Sequence, residues 1–394
     1  MRILNVIRSV NPVHGGPSEG LRQLIGAFGK LGHTIEVLTL DAPGAPWLAS
    51  FPARTFSLGP VATKYGYSGR MVPWLKEHAQ GYDAVVVHGL WQYHGLAVWR
   101  ALHGSRVPYF MYFHGMLDPW FKWRYPLKHL KKWLYWPWAD YRVARDAKAV
   151  LFTASEEARL AAKSFWLYRV KPAVVGYGLA LDEHAESSRA EDFYQAFPET
   201  RGKRIVLFLA RIHPKKGCDL LIPAFAELAA SDPSLHLVMA GPDQTGLVSS
   251  LQALASRCGM AHRITWTGML EGQLKWGALR AAEVFSLPSH QENFGIAVAE
   301  ALAVGLPVLI SQRVNIWREI VDDGAGFADA DTLAGTIATL DRWLALDPLQ
   351  RSLMRERAEQ CYQNRFRIDA AAKRVIAAIQ PHLQDAPSLP AIPV

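Results

Sequence analysis

The sequence predicts an α/β protein made of two Rossmann-like domains, each with a parallel sheet between helices. Short apolar runs alternate with amphipathic stretches through the first half, and the alternation restarts after a polar, acidic stretch at 182–192. Buried parallel strands read as short apolar runs, and their alternation with helices implies right-handed β-α-β units. A chain of 394 residues is also long enough for two domains that each bury a core.

The first predicted domain covers 1–180. Its strands are the apolar runs at 2–8, 34–40, 84–88, 108–113 and 149–153. Its helices are the periodic stretches at 18–31, 71–80, 93–102, 127–147 and 155–164.

The second predicted domain covers 191–365, and the boundary is expected between 177 and 191 because linkers concentrate polar residues. Its strands are predicted at 205–210, 235–240, 263–266, 284–287 and 307–310. Helical stretches follow, and the Pro-rich end at 386–394 is expected to be loose.

The composition indicates a soluble enzyme in a reducing compartment. The hydrophobic fraction of 50% and the charged fraction of 20% fit a globular protein. Cys218, Cys258 and Cys361 are isolated from one another, which argues against a disulfide framework and a structural zinc site. The apolar run before Arg8 is too short for a signal peptide and no run reaches transmembrane length, so we expect a cytoplasmic protein.

The basic residues exceed the acidic ones, with 43 Lys and Arg against 35 Asp and Glu. Five of them lie in the segment 120–138, which interleaves cations with aromatic rings. Such a segment is typical of a helix lying on a membrane surface, where rings reach headgroup depth. A buried aromatic core is the other interpretation, since aromatic rings bury well anywhere. No nucleic-acid partner is expected.

The segment 289–308 carries the densest chemical signal. A short helix is predicted at 295–304 that is apolar on nearly every face, yet it contains Glu300. Amides at its start, from Asn293 to Gly295, suit a phosphate, and hydroxyls one sugar away suit Glu300. Glu292 would then face the next sugar. The alternative is that Glu300 pairs with a buried Arg or Lys.

A second cationic cluster follows the first strand of the second domain. Arg211 and Lys216 are placed there to neutralise charge that grows on a leaving diphosphate. Lys215 belongs to the same loop, where a solvated charge is the competing interpretation.

Two motifs of the first domain follow predicted strands. Gly15 and Gly16 come after the first strand and open a helix, where amides can approach an anion. His114 comes after the strand at 108–113, where it could donate a hydrogen bond to a sugar hydroxyl, although a structural role is more common for a lone histidine. Asp329 and Asp331 form a D-x-D string, for which a helix-capping role is predicted rather than a metal site.

Together these residues resemble the retaining glycosyltransferases of the GT-B fold, in particular family four, the glycosyl transferases of group 1. The likeness covers most of the chain and is strongest in the second domain. The matching positions are Gly15, Gly16, His114, Arg211, Lys216, Gly217, Glu292 and Glu300. The resemblance implies two domains facing each other across a cleft, with a helix at 366–385 packing back on the first domain.

The resemblance also implies a role for each matching residue. Glu300 would hold the ribose of a nucleotide diphosphate sugar, GDP- or UDP-linked, and Arg211 and Lys216 the diphosphate. The amides of 293–295 and Glu292 would hold the transferred sugar and its phosphate. The implied donor-binding set is Gly15, Gly16, Arg211, Lys216, Gly268, Met269, Leu270, Glu292, Asn293, Phe294, Gly295 and Glu300, with the base near 268–270. The implied catalytic set is His114, Arg211, Lys216 and Glu292.

The resemblance thus implies a retaining hexosyltransferase, and we expect neither a metal nor a resident cofactor. Its acceptor would be a saccharide or lipid-linked saccharide of bacterial polysaccharide synthesis, that is exopolysaccharide, capsule or lipopolysaccharide, at the inner face of the cytoplasmic membrane. Two alternatives stay open: a nucleotide-sugar epimerase of the same fold, and a non-catalytic membrane-associated scaffold.

Overall fold

The computed structural model describes residues 1–14 and 16–383, and the expected loose tail at 386–394, like the end of the helix at 366–385, lies outside them. The chain divides into two compact units. The first contains Met1–Gly178 together with the segment from Ile368 on, and the second contains Leu179–Arg367.

The first unit is built on a parallel sheet of seven strands. In chain order these are β1 Arg2–Val6, β2 Thr34–Thr39, β3 Thr55–Ser57, β4 Ala84–His88, β5 Tyr109–Tyr112, β6 Val150–Phe152 and β7 Pro172–Val174. The spatial order is β3-β2-β1-β4-β5-β6-β7. Every residue of β4 is buried, as expected for a strand covered on both faces.

Within the described residues, eight α-helices of the first unit connect these strands. They are α1 Gly16–Lys30, α2 Pro46–Ala49, α3 Met71–His78, α4 Tyr93–Leu102, α5 Trp120–Arg124, α6 Pro126–Tyr135, α7 Asp140–Asp146 and α8 Ser155–Ala161.

The second unit is built on a parallel sheet of six strands. These are β8 Arg204–Leu209, β9 Leu235–Ala240, β10 Ile264–Gly268, β11 Val284–Leu287, β12 Val308–Ser311 and β13 Gly326–Asp329. Their spatial order is β10-β9-β8-β11-β12-β13. The helices are α9 Glu183–Ser187, α10 Ala190–Ala196, α11 Cys218–Ala229, α12 Val248–Arg257, α13 Gly272–Ala281, α14 Ile296–Ala303, α15 Trp317–Asp322, α16 Leu333–Leu344 and α17 Pro348–Cys361.

A final helix, α18 Ile368–Ile379, belongs to the first unit and packs against α1. Its buried face joins a core cluster that also contains Ile3 and Phe28. The apolar residues of that face are Ile368, Ala372, Val375 and Ile379. Their spacing of three and four residues explains why one side of the helix is buried.

Each sheet has a point at which the strand order reverses. It lies between β1 and β4 in the first unit and between β8 and β11 in the second. Ligands of such sheets bind outside the carboxyl ends of the strands at this point. In the first unit His88 ends β4 there, and in the second the loops 210–217 and 288–295 follow β8 and β11.

The prediction of two Rossmann-like α/β domains is confirmed, and the differences concern short or interrupted elements. β3, β7 and β13 were not predicted, because their three or four residues are largely half-buried or exposed and give no apolar run. The helix predicted at 127–147 is instead α6, a 3₁₀ turn at Trp136–Trp138 and α7. Pro137 explains the break, since proline lacks an N–H and clashes with the preceding turn.

The polar stretch at 182–192 is folded rather than extended. It contains α9 and the start of α10, and both helices pack against α13. Asp182 caps α9 by accepting hydrogen bonds from the backbone N–H groups of His184 and Ala185. The same carboxylate accepts a hydrogen bond of 2.7 Å from the indole N–H of Trp276.

Membrane-spanning helices are not found in the described part of the chain, where every helix is too short or too polar to cross a bilayer.

Candidate functional site

Two loops meet at the reversal point of the second sheet. Gly217 has a φ of +69°, and a Cβ atom there would lie 2.0 Å from the carbonyl oxygen of Pro288. Only glycine allows this approach, because the site needs both a left-handed backbone and the absence of a side chain. The backbone N–H of His290 donates to the Lys215 carbonyl at 2.7 Å, and Lys215 Nζ donates to Gln291 Oε1 at 3.1 Å.

This junction brings together two of the predicted residues, Lys216 and Glu292. Lys216 Nζ donates a hydrogen bond to Glu292 Oε2, which makes an ion pair. The side chains are only 12% and 20% exposed, so the pair is poorly screened by water. The sequence had placed both residues in one site but had not predicted their direct contact.

Backbone hydrogen bonds join the loop that carries Glu292 to the segment 313–315. The N–H of Glu292 donates to the Arg313 carbonyl at 2.9 Å, and the Asn315 N–H donates to the Glu292 carbonyl at 3.1 Å. Asn315 Nδ2 also donates to Asn293 Oδ1 at 3.2 Å. The backbone at Glu292 is therefore held against the segment 313–315.

The helix predicted at 295–304 is α14, and Gly295 precedes it with a φ of +79°. The amide N–H of Asn293 is directed at the neighbouring Glu292 Oε1, at 3.2 Å. Phe294 is buried, and its ring contacts Phe366 at a centroid distance of 5.6 Å.

Glu300 is buried in α14 and pairs with Lys275 of α13, whose Nζ donates to Glu300 Oε1 at 2.8 Å. Burial raises the pKa of Glu300, and the Lys275 ammonium opposes that rise. Lys275 Nζ also lies 3.9 Å from Asp182 Oδ2. Glu300 is thus paired with a lysine, as in the alternative that the sequence left open, although Lys275 is only partly buried.

The other predicted residues of the second unit lie apart from these pairs. Arg211 is exposed, and among the described residues its guanidinium hydrogen-bonds Gln244 Oε1, at 3.0 Å, rather than either glutamate. Gly268 ends β10, and its carbonyl accepts from the Gly241 N–H at 2.7 Å. Met269 is 61% exposed, whereas Leu270 is buried.

His290 was not predicted, yet its ring lies between two carboxylates at the loop junction, and one of them also pairs with Arg313. Its Nε2 lies 3.5 Å from Asp219 Oδ1, and its Nδ1 lies 3.2 Å from Asp331 Oδ2. Arg313 Nε lies 3.1 Å from the other oxygen of Asp331. The hydrogen bond to Asp219 raises the pKa of His290, burial opposes the rise and Asp331 adds to it.

The helix-capping role predicted for Asp329 and Asp331 is wrong. Thr332 caps α16, with its hydroxyl accepting from the Gly335 N–H at 3.1 Å. Asp331 instead faces His290 and Arg313, because the loop turns its carboxylate away from the helix start. Among residues 1–14 and 16–383 there is no group of three or more acidic, histidine or cysteine side chains that could hold a metal.

In the first unit, His114 belongs to a cluster of histidines. His114 has a φ of +52°, and its Nε2 lies 3.1 Å from His88 Nδ1. His88 Nε2 lies 2.8 Å from Asn5 Oδ1, and His94 Nε2 donates to the His88 carbonyl at 2.8 Å. Burial lowers the pKa of His114 and of His94 to about 4, and holds that of His88 well below its usual value.

A pocket of about 160 Å³ lies beside this cluster. Its lining residues include Arg8, Ser9, Ser18, Gln92, His88 and His114. The glycine loop is adjacent in sequence: Gly16 begins α1, and its carbonyl accepts a hydrogen bond of 2.8 Å from Tyr177. Gly15 lies outside the described residues.

The segment 120–138 divides between core and surface. Trp136 is fully buried and stacks on Phe165, as the core interpretation requires. Helix α6, in contrast, has no buried residue. The exposed large apolar side chains of the segment are Trp123, Tyr125, Leu127, Leu130, Trp133, Leu134 and Trp138.

Comparison with known families gives two matches, one for each half of the chain. A family described as "Glycosyl transferase 4-like domain" matches residues 15–178, and one described as "Glycosyl transferases group 1" matches residues 190–361. Together the two matches cover most of the chain.

Among individual proteins, a D-inositol 3-phosphate glycosyltransferase of Nocardia farcinica is 29% identical over 216 residues. The match covers 52% of this chain and 48% of that enzyme, so the chain spans about half the length of the relatives it matches.

Solved structures share the fold over nearly the whole chain. A glycosyltransferase of Rickettsia africae has a TM-score of 0.77 at 15% identity, covering 98% of this chain and 99% of its own. HepE of Anabaena, solved with UDP and glucose, has a TM-score of 0.72 at 16% identity, covering 97% of this chain and 100% of its own.

Proposed function

Because this chain belongs to the glycosyl transferases of group 1, with the GT-B fold, we propose that it transfers a hexose from a UDP- or GDP-linked donor with retention of configuration. The acceptor would be a saccharide or lipid-linked saccharide of bacterial polysaccharide synthesis, whether exopolysaccharide, capsule or lipopolysaccharide. The observation that carries the proposal is the half-buried Lys216–Glu292 pair at the reversal point of the second sheet.

Breaking a sugar–phosphate bond leaves negative charge on the diphosphate. Lys216 Nζ has three N–H donors, and the hydrogen bond to Glu292 uses one of them. The remaining donors can bind phosphate oxygens at a site where low exposure strengthens the interaction. Arg211, on the same loop, would add a second cation once its guanidinium leaves Gln244.

The nucleoside would bind beside Glu300. One oxygen of this carboxylate accepts from Lys275, and the second can accept from the ribose hydroxyls. Lys275 opposes the rise that burial causes in the pKa of this carboxylate, and so favours its charged, accepting form. In this proposal the base lies near 268–270, where Met269 is exposed.

Glu292 would position the sugar rather than attack it, since its carboxylate is engaged by Lys216. We therefore propose front-face departure, in which the leaving phosphate takes the acceptor's proton and no metal takes part. His114 is proposed to contact a hydroxyl of the sugar. The protein then contributes charge stabilisation and orientation.

The exposed face of α6 supports a peripheral contact with the cytoplasmic face of a membrane. Leu127, Leu130 and Leu134 are 84%, 56% and 62% exposed, and Lys128 and Lys131 are exposed beside them. Apolar and basic residues on one surface helix suit an anionic bilayer, from which a lipid-linked acceptor could be supplied.

The test is a transfer assay with UDP-, GDP- and ADP-hexoses and a panel of saccharide acceptors, with the product anomer identified by NMR. We expect transfer with retention, and Lys216→Ala should lower kcat by about 10²-fold to 10³-fold, the usual effect of losing one electrostatic contact to the transition state. Lys203→Ala removes an exposed lysine outside the junction and is the matched control.

Equal activity of these two variants would contradict the assigned role of Lys216. Stereochemical conversion of the donor without any acceptor would indicate an epimerase instead, and an inverted product would refute retention. Membrane binding without turnover of any donor would favour the scaffold.

A further inference from the structure

A chain of hydrogen bonds runs from the core of the first unit to His114. Asn5, in β1, faces His88 at the end of β4, with 2.8 Å between Asn5 Oδ1 and His88 Nε2. His88 in turn faces His114, with 3.1 Å between His88 Nδ1 and His114 Nε2. Asn5 and His88 are buried, and His114 lies at the wall of the pocket.

The side chain of Asn5 determines which atoms donate and which accept along this series of hydrogen bonds. With Asn5 Oδ1 as the atom that faces His88, the proton of His88 lies on Nε2, because an amide oxygen can only accept. Burial keeps His88 neutral, which leaves its Nδ1 as an acceptor. His114 must then donate through Nε2–H, and its Nδ1 carries a lone pair.

The rings have little freedom to depart from this arrangement. His94 Nε2–H donates to the His88 carbonyl at 2.8 Å and fixes the end of β4. Tyr112 stacks on both the His88 and the His114 rings, at centroid distances of 5.3 and 5.2 Å. Directly after His114 in the chain, the Gly115 N–H donates to the buried Glu157 carboxylate at 2.6 Å. The backbone on either side of the cluster is therefore held.

Among the described residues, the second nitrogen of His114, Nδ1, has no hydrogen-bond partner. The adjoining pocket holds about 160 Å³, roughly the volume of five water molecules, and is lined by several polar side chains. Arg8 is one of them, and a guanidinium can only donate. A pocket with a fixed donor and a fixed acceptor suits a group that can both accept and donate, which is a hydroxyl.

We propose that Asn5 and His88 are positioning residues that fix His114 in its Nε2-protonated tautomer, so that Nδ1 accepts a hydrogen bond from a ligand hydroxyl. This reverses the sequence-based expectation that His114 donates. This positioning role rests on the proposed function in one respect only, namely that the ligand hydroxyl belongs to a sugar. A sugar in which fluorine replaces this hydroxyl could not donate and would bind poorly.

The first test reads the tautomers directly by ¹⁵N NMR of the full-length protein labelled on histidine, with resonances assigned by single substitutions. A protonated and an unprotonated ring nitrogen have widely separated shifts. We expect Nε2–H and unprotonated Nδ1 for both His88 and His114 at neutral pH. A proton on Nδ1 of His114 would overturn the proposal, because the donor and acceptor of each hydrogen bond between Asn5, His88 and His114 would then be exchanged.

The second test uses two substitutions of His88 that differ in hydrogen bonding. Gln can accept from His114 and donate to Asn5, so His88→Gln should keep the His114 tautomer, whereas His88→Leu should leave a mixture of tautomers. We expect kcat/KM for the donor to fall roughly tenfold in His88→Leu relative to His88→Gln, the value of about one hydrogen bond. Equal tautomer populations in the two variants would also overturn the proposal.

The two readouts separate this inference from the proposed function. The NMR result does not depend on turnover, so a protein without transferase activity can still show the predicted tautomers. An active transferase with the opposite tautomer would retain the proposed function and refute the positioning role.

Discussion

His290 shows how one side chain links the two loops of the second unit. Its backbone N–H is bonded to Lys215, and its ring lies between the carboxylates of Asp219 and Asp331. Asp219 lies in the first turn of α11 and Asp331 just before α16, so a protonated His290 connects three segments of the chain. Arg313 adds a cation to this cluster through its contact with Asp331.

This arrangement predicts a pH-dependent contribution to stability. Because the pKa of His290 is raised in the folded state, its stabilising effect is complete below the unfolded value of about 6.5. It is lost as the pH rises through the raised folded value. His290→Gln should therefore destabilise the protein more at pH 6 than at pH 9, as measured by urea unfolding.

His262→Gln, which removes an exposed histidine, is the control and should shift the unfolding midpoint little at either pH. A constant difference between wild type and His290→Gln across this range would show that the ring acts through packing alone.

At the scale of residues, the sequence identified charges but not their partners. Lys216 and Glu292 were assigned to one site from their motifs, yet 76 positions separate them and no sequence pattern predicts that they touch. Lys275 was missed because a single lysine in a helix normally indicates a solvated face. Asn5 and His88 lie inside buried strands, where a polar residue gives no sign of what it will face.

At the scale of elements, α6 is the least expected part of the first unit. Its large apolar residues point outward, while Lys132 bends inward so that its Nζ lies 4.5 Å from the centre of the Trp91 ring. Burial lowers the pKa of Lys132. Lys128 and Lys131 are the cations that remain at the surface of the helix.

Charge reversal on α6 tests its proposed contact with lipid. Lys128→Glu with Lys131→Glu should reduce flotation with anionic vesicles, since each basic residue near such a surface contributes about 1 kcal/mol. Lys132 is left unchanged because it supports the Trp91 ring. The measurement is the bound fraction on phosphatidylserine-containing vesicles.

Lys30→Glu with Lys76→Glu changes the net charge by the same amount on α1 and α3, and should leave most of the binding intact. Equal loss in both double variants would mean that total charge, not this helix, attracts the vesicles.

The elements that the sequence predicted well are those with an unambiguous pattern. β4, β9, β11 and α4 have the predicted bounds, because a buried strand or an amphipathic helix carries its own apolar signature. The short edge strands depend on pairing with a neighbour, which is a tertiary effect. α9 likewise depends on the Asp182 cap and on packing against α13.

At the scale of the whole molecule, both units have the same layout, with a reversal point between two central strands. This layout was predictable because the alternation of strands and helices occurs twice along the sequence. The base, the sugar and the acceptor were not predictable, because they depend on side-chain distances within loops such as 288–295.

Nucleotide binding should be visible as a change in thermal stability. A ligand at about 100 times its Kd adds about 2.7 kcal/mol to the folded state. For a unit of this size that corresponds to a rise in Tm of roughly 5 to 11 °C. We expect UDP or GDP to give this shift and ADP to give less, as measured by differential scanning calorimetry.

Glu300→Gln should reduce the shift through the loss of ribose contacts, and Lys216→Ala should reduce it through the loss of phosphate contacts. Binding of uridine or guanosine, which lack phosphate, would separate the ribose contacts from the phosphate contacts. Glu300→Gln should weaken the binding of these nucleosides, whereas Lys216→Ala should not. Shifts that are the same for all three diphosphates would place the base outside any selective pocket.

Because α18 belongs to the first unit but is synthesised last, the first unit cannot complete its fold until the end of translation. The partner surface on α1 leaves the ribosome early, whereas Ile368 follows Gly178 by 190 residues. At a synthesis rate of about 5 to 20 residues per second, the nascent first unit waits roughly 10 to 40 s for its last helix. During that interval, while residues 179–367 of the second unit are being synthesised, the apolar surface around Phe28 is uncovered. We therefore expect the first half of the chain to be prone to aggregation until α18 has been synthesised.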